Sequence, residues 1–195
     1  FRIRLGDRTE TEERLVISAF GKEFVGGGND RMKNIGNENS VLRGEISEQG
    51  EEKMIAKVQS YALAGLEGVP VTVETDISRG LPSYEMVGLP DAAVKESKER
   101  GRSAIKNSVL EFPAHKITVN LAPAYVRKEG SAFDLPIAIS LLLAYGALRA
   151  EVGKTVFLGE LALNGELRPV TGVLPALISA RDKGYTDFIV PKANE

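Results

Sequence analysis

Residues 135–148 read Leu-Pro-Ile-Ala-Ile-Ser-Leu-Leu-Leu-Ala-Tyr-Gly-Ala-Leu, and this run constrains the fold more than any other. It is apolar nearly all round. A helix without a polar face must be covered on every side, so it is expected to be central and buried. It is too short to span a membrane, which needs about 20 residues. Asp134 stands just before it as the expected N-cap, and Pro136 falls in the first turn, where a missing N–H does no harm.

The segments that must cover this helix alternate. A strand is expected over 55–64, ending at Gly65. Val69, Val71, Val73 and Ile77 then alternate with Pro70, Thr72, Glu74 and Ser78, the period of a strand with one buried face. Arg79-Gly80-Leu81-Pro82 is turn chemistry, and 83–87 is a short returning strand. Asp91 can cap a helix running to about Asn107, with Glu96 and Arg100 paired at i,i+4 and Gly101 costing about 1 kcal/mol in mid-helix. Ile117, Val119 and Leu121 mark another half-buried strand. One strand over 155–163, a turn at Asn164-Gly165, a helix from 172 or 173 to 183 ended by Gly184, and a strand over 187–190 stopped by Pro191 complete the pattern. The order β-β-β-α-β-α-β-α-β mixes hairpins with helical crossovers. It predicts an α+β or split α/β sandwich.

Composition divides the chain. Residues 1–53 hold 9 Lys+Arg against 11 Asp+Glu, no proline, and 15 hydrophobic residues. Residues 54–195 hold 16 of each charge, all 9 prolines and 69 hydrophobic residues. The first part therefore reads as a leader expected to be disordered, the second as a packed domain. The leader suits a flexible tail or a partner-binding arm. A third reading comes from Gly50-Glu51-Glu52-Lys53, whose codons GGN-GAR-GAR-AAR resemble a bacterial ribosome-binding site. On that reading Met54 is the initiator and 1–53 is translated upstream DNA.

Several chemistries are excluded or weak. Without cysteine there is no disulfide, thiol nucleophile or Cys-based zinc site, and a single histidine, His115, cannot build a His-rich metal site. No signal peptide or membrane span is apparent, so a cytoplasmic location is the default. Gly153-Lys154-Thr155 looks like the end of a phosphate loop, but Leu148 stands where the first glycine belongs, and a strand is expected after it.

Lys95, Lys98, Arg102 and Lys106 share one face of the first long helix. They read either as a phosphate-contacting stripe or as a solvated face diluted by Glu96 and Glu99. Arg127 and Lys128 form a second, loop-borne candidate for DNA or partner contact. Ser131 with Lys128 nearby evokes a Ser-Lys nucleophile pair, although helix entry explains the serine as well.

Several runs carry a family resemblance: Gly65-Leu66-Glu67-Gly68, Val87-Gly88-Leu89-Pro90-Asp91, Glu96-Ser97-Lys98-Glu99-Arg100, Phe112-Pro113-Ala114-His115-Lys116-Ile117, Asn120-Leu121-Ala122-Pro123-Ala124, Arg127-Lys128-Glu129-Gly130, Phe133-Asp134-Leu135-Pro136-Ile137-Ala138 and Gly159-Glu160-Leu161. Over 54–195 the chain resembles the N-terminal part of the YifB/ComM family of magnesium-chelatase-like AAA+ ATPases. The resemblance implies a ribosomal S5 domain 2-like fold shared with the Lon protease domain. It also implies a hexameric parent ATPase, using ATP and Mg²⁺ in a module beyond this chain, that acts on DNA as a branch-migration helicase in natural transformation. The domain itself would hold no cofactor and no metal. Laid over Lon, Asp134 falls at the catalytic serine position and Leu174 at the catalytic lysine position, so the resemblance implies a proteolytically dead module. A Lon-type peptidase and a metallochelatase accessory subunit are the alternatives. Gly101, Val109-Leu110 and Tyr125 depart from the family's pattern.

Overall fold

A computed structural model describes Arg2–Leu5 and residues 54–194. Seven strands form one mixed sheet in the order β1-β9-β6-β2-β3-β5-β4. Its longest members are β2 (Met54–Ala64) and β3 (Glu67–Ser78), an antiparallel hairpin closed at Gly65-Leu66, where Gly65 takes φ +64°. β5 (Lys116–Ala122) pairs antiparallel with β3, and β4 (Ser83–Val87) lies parallel to β5 at one edge. On the other side β6 (Thr155–Phe157) and β9 (Asp187–Val190) run parallel to each other, and β6 runs parallel to β2. β1 (Arg2–Leu5), from the segment read as a leader, pairs parallel with β9. Residues 6–53, the rest of that segment, lie outside the described residues.

The period-two pattern does what it predicts. Val71, Val73 and Ile77 of β3 and Val58 of β2 are buried in one apolar cluster, with Leu135, Ile139 and Leu142 of helix α2 (Asp134–Ala144) and Val94, Ala104 and Ile105 of helix α1 (Ala92–Asn107). Tyr61, Val156, Phe188 and Val190 belong to a second cluster with Val173, Ala176 and Ala180 of helix α3 (Val173–Asp182). Phe157 and Ile189, one residue along from Val156 and Phe188, fall in the first cluster. Successive residues feeding different clusters place the two cores on opposite faces of the sheet. The architecture is an α+β sandwich, and α2 is the buried central helix its sequence requires, with ten of its eleven residues buried.

Two expected elements differ. The helix expected to reach Leu148 stops at Ala144, because Gly146 turns left-handed at φ +74° and bonds back to Leu143. The single strand expected over 155–163 is broken. After Phe157 the chain leaves the sheet: Gly159 donates to Ala132 and accepts from the N–H of Leu135 at the start of α2. It then forms a separate two-stranded ribbon from β7 (Glu160–Leu161) and β8 (Leu167–Arg168), turned at Asn164-Gly165.

Candidate functional site

Helix α1 begins as expected. The Asp91 carboxylate accepts from the N–H of Val94 at 2.7 Å, and its second oxygen accepts from the N–H of Gly130 at 3.1 Å. Val94, Ser97, Gly101, Ala104 and Ile105 are buried. One flank beside them carries Lys95, Arg102 and Lys106, all exposed, and the half-buried Lys98, so the four cations do share one side. Two of them are held over rings. The Lys98 ammonium lies 5.5 Å from the Tyr84 ring centre, and the Arg102 guanidinium 5.6 Å from that of Phe112. Such contacts fix long side chains without neutralising them. The only acid paired with the stripe among the described residues is Glu99, at 3.8 Å from Lys98.

Arg127 and Lys128 part company. Arg127 is exposed and pairs with Glu129 at 2.9 Å. Lys128 is not a surface cation: its relative exposure is 0%, and its ammonium donates to the carbonyl oxygens of Gly88, at 2.7 Å, and Pro123. Its backbone closes the same junction, donating to Leu89 and accepting from Asp91. The turn around Gly88 packs so tightly on β5 that a Cβ there would lie 2.2 Å from the Leu121 oxygen. Lys128 is thus a clip between two loops, and burial pushes its ammonium below the usual lysine range. It cannot touch a nucleic acid, which corrects the expectation from sequence. Nor does it serve Ser131, whose hydroxyl bonds to Glu160 at 2.5 Å.

Asp134 also has a different task from the one expected. The residue in the cap position is Phe133, with no side-chain cap, and Asp134 is the first residue of α2. Its carboxylate accepts from Arg100 Nε at 2.6 Å, from a terminal nitrogen of Arg100 at 3.0 Å, and from the N–H of Leu161 at 3.1 Å. Arg100 also donates to the Ala93 carbonyl and to Glu96. One buried carboxylate therefore ties α1, α2 and the β7–β8 ribbon together. The pair is unequal. Burial pushes Asp134 above the usual carboxylate range despite the pull of Arg100 and the Leu161 N–H. Arg100 is raised chiefly by its hydrogen bonds to Asp134. Burial, with the Asp134 charge adding, also raises the Tyr84 hydroxyl. Sequence reasoning saw in Arg100 only a helix partner for Glu96. Nothing at the level of spacing points from α1 to a residue 34 positions away.

Leu174 is 70% exposed on α3. Gly153-Lys154-Thr155 runs into β6, and Lys154 uses its carbonyl to receive the N–H groups of Thr186 and Asp187. A phosphate loop would open into a helix, so this segment does not fit a nucleotide. Among the described residues no group of three or more His, Asp or Glu side chains is arranged to hold a metal ion, and no helix is long and apolar enough to cross a membrane. His115 is half-buried, with its ring 6.0 Å from that of Tyr145.

The family model described as subunit ChlI of Mg-chelatase matches residues 73–194. The chain belongs to this magnesium-chelatase-like family. Within it, the chain is 47% identical over 141 residues to the competence protein ComM of Haemophilus influenzae and 50% identical over 139 residues to the uncharacterized protein YifB of Escherichia coli. These alignments cover 72% and 71% of this chain but only 28% and 27% of the relatives, so the chain spans about a quarter of their length. A Lon protease of Clostridioides difficile is 26% identical over 148 residues, covering 72% of this chain and 19% of that protein. The YifB/ComM domain described here is thus Lon-like, as its resemblance implied. Two of the positions singled out in the sequence carry a visible cost. Val109 takes φ +62°, a left-handed backbone that favours glycine, just after α1. Gly101 lies buried within that helix where a Cβ would meet nothing within 4 Å.

Proposed function

We propose that this chain is the non-catalytic N-terminal module of a magnesium-chelatase-like AAA+ ATPase that processes DNA, and that the cationic face of α1 is where the module contacts nucleic acid. The parent is read as a homo-hexameric, ATP- and Mg²⁺-dependent branch-migration helicase linked to competence, in the cytoplasm. The name of the Haemophilus relative supports the link to competence. The observation that carries the reading of the face is geometric: Lys95, Lys98, Arg102 and Lys106 lie together, with Lys98 and Arg102 propped on rings. The charges of 54–195 cancel, so attraction to phosphates must come from such a local patch. The non-catalytic reading is supported at both positions where Lon alignment would put the dyad. The Asp134 carboxylate is consumed by Arg100 and the Leu161 N–H, and Leu174 has no group that can accept a proton. A Lon-type peptidase is therefore disfavoured.

The test is binding of a labelled DNA duplex, followed by fluorescence anisotropy, by the wild-type chain and by a variant carrying glutamine at all four positions. The reading expects salt-sensitive binding that is lost in the variant. Equal binding by both proteins removes the α1 face from consideration.

A further inference from the structure

At the C-terminal end of α1 the cationic face runs into an open recess of about 420 Å³, within the range of small-ligand sites. Leu110, Phe112, His115 and Tyr145 supply its apolar and aromatic lining, and Lys106 and Glu111 line it as well. Lys106 therefore belongs to both the stripe and the recess. Arg102, one turn earlier, covers the Phe112 ring. The His115 and Tyr145 rings are tilted by 55° rather than stacked on each other, and both residues are only half-buried. The Nδ1 atom of His115 is buried and has no hydrogen-bond partner among the described residues. Such orphaned atoms are uncommon and mark unused bonding capacity.

We propose that this recess is a base-stacking subsite for single-stranded nucleic acid, with Lys106, Arg102, Lys98 and Lys95 following the strand's phosphates along α1. This rests on the reading of α1 as the nucleic-acid face and adds to it the form of nucleic acid recognised. Cations interleaved with rings are the chemistry by which proteins hold unpaired strands: phosphates track the charge and exposed bases stack on aromatic side chains. A duplex keeps its bases stacked within the helix and cannot offer one to the recess. From Lys95 to Lys106 the helix rises about 16 Å, enough to follow several phosphates. Glu99 and Glu111 lie along the same path, so the strand is held weakly and its affinity falls steeply with salt.

The test uses the full chain, a fluorescein-labelled oligothymidylate, and a duplex of the same length, compared by anisotropy at low salt. The strand is expected to bind about tenfold more tightly than the duplex. His115→Ala and Tyr145→Leu should each weaken strand binding about tenfold, equivalent to about 1.4 kcal/mol, without altering duplex binding. Tyr145→Phe, which keeps the ring, should bind as the wild type does. Phe112 and Tyr145 pack against the core, so a second measurement leaves the protein unsubstituted. Photocrosslinking of a bromodeoxyuridine strand, mapped by mass spectrometry, should mark Phe112, His115 or Tyr145. Equal affinity for strand and duplex, with crosslinks confined to other residues, overturns the subsite and leaves the α1 face intact if its glutamine variant still loses binding. Failure of the chain to bind either nucleic acid overturns both.

Discussion

Replacing Arg100 by methionine should reveal how much of the domain hangs on one buried carboxylate. The Asp134 side chain is 0% exposed and that of Arg100 20% exposed. Without Arg100, Asp134 keeps only the Leu161 N–H as a donor. Breaking a buried pair by removing one partner costs about 3–5 kcal/mol. Arg100 is partly open to solvent, which places this loss near about 3 kcal/mol. For a domain of this size that lowers Tm by about 6–12 °C. Adding Asp134→Asn removes the stranded charge while keeping an acceptor for Leu161, and should restore about 2 kcal/mol. The loss should also depend on pH with a definite sign. Asp134 sits above its unfolded value, so its favourable contribution is present below about pH 3.9 and is lost as pH rises through its folded value. Removing Arg100 raises that folded value further, so the deficit should be smallest in acid and largest near neutrality. Thermal melts of the single and double variants across this range provide the assay. A loss below about 1 kcal/mol, or a double variant no more stable than Arg100→Met, would refute the argument.

Other substitutions follow from the same structure. Gly101→Ala should stabilise by about 0.5–1 kcal/mol, since a helical residue gains a Cβ that strikes nothing; a lower Tm would mean that the space is not there. Val109 is 95% exposed at φ +62°, so Val109→Gly should relieve left-handed strain and gain about 1 kcal/mol by denaturant melt. Lys128→Met leaves the Gly88 and Pro123 carbonyls without their donor and should cost about 2 kcal/mol while nucleic-acid affinity stays the same; a loss of affinity at unchanged stability would return Lys128 to the surface. Ser131→Ala should cost about 1 kcal/mol through its bond to Glu160 and leave casein hydrolysis at background; a casein-degrading activity that disappears with Ser131 would revive the peptidase.

The parts of this fold written in short-range pattern were legible beforehand. Val71, Val73 and Ile77 announced a strand with one buried face, Asp91 a helix start, and Gly184 a helix end, because each depends on neighbours within a few residues. The all-apolar run after Asp134 announced the central helix. What escaped was decided by contacts far apart in sequence. Lys128, between Arg127 and Glu129, has every local mark of an exposed loop cation, yet the turn at Gly88 and the Pro123 carbonyl enclose it. Asp134 has the local mark of a cap, yet Arg100 reaches it from another helix. The strand that starts at Thr155 ends at Phe157, and Gly159 bonds instead to Ala132 and Leu135 at the entry to α2, a demand that the residues of 155–163 do not carry. The α1 stripe was legible as a face, but its rings were not, since Tyr84 and Phe112 come from other segments.

The central claim, that α1 carries the module's nucleic-acid contact, is tested most directly by the salt dependence of strand binding. Each phosphate contact on a single strand contributes a slope of about −0.7 to log affinity against log salt concentration. Replacing Lys95, Lys98, Arg102 and Lys106 by glutamine should make the slope shallower by about 3 and weaken binding at low salt. A slope unchanged by the four substitutions would contradict the account.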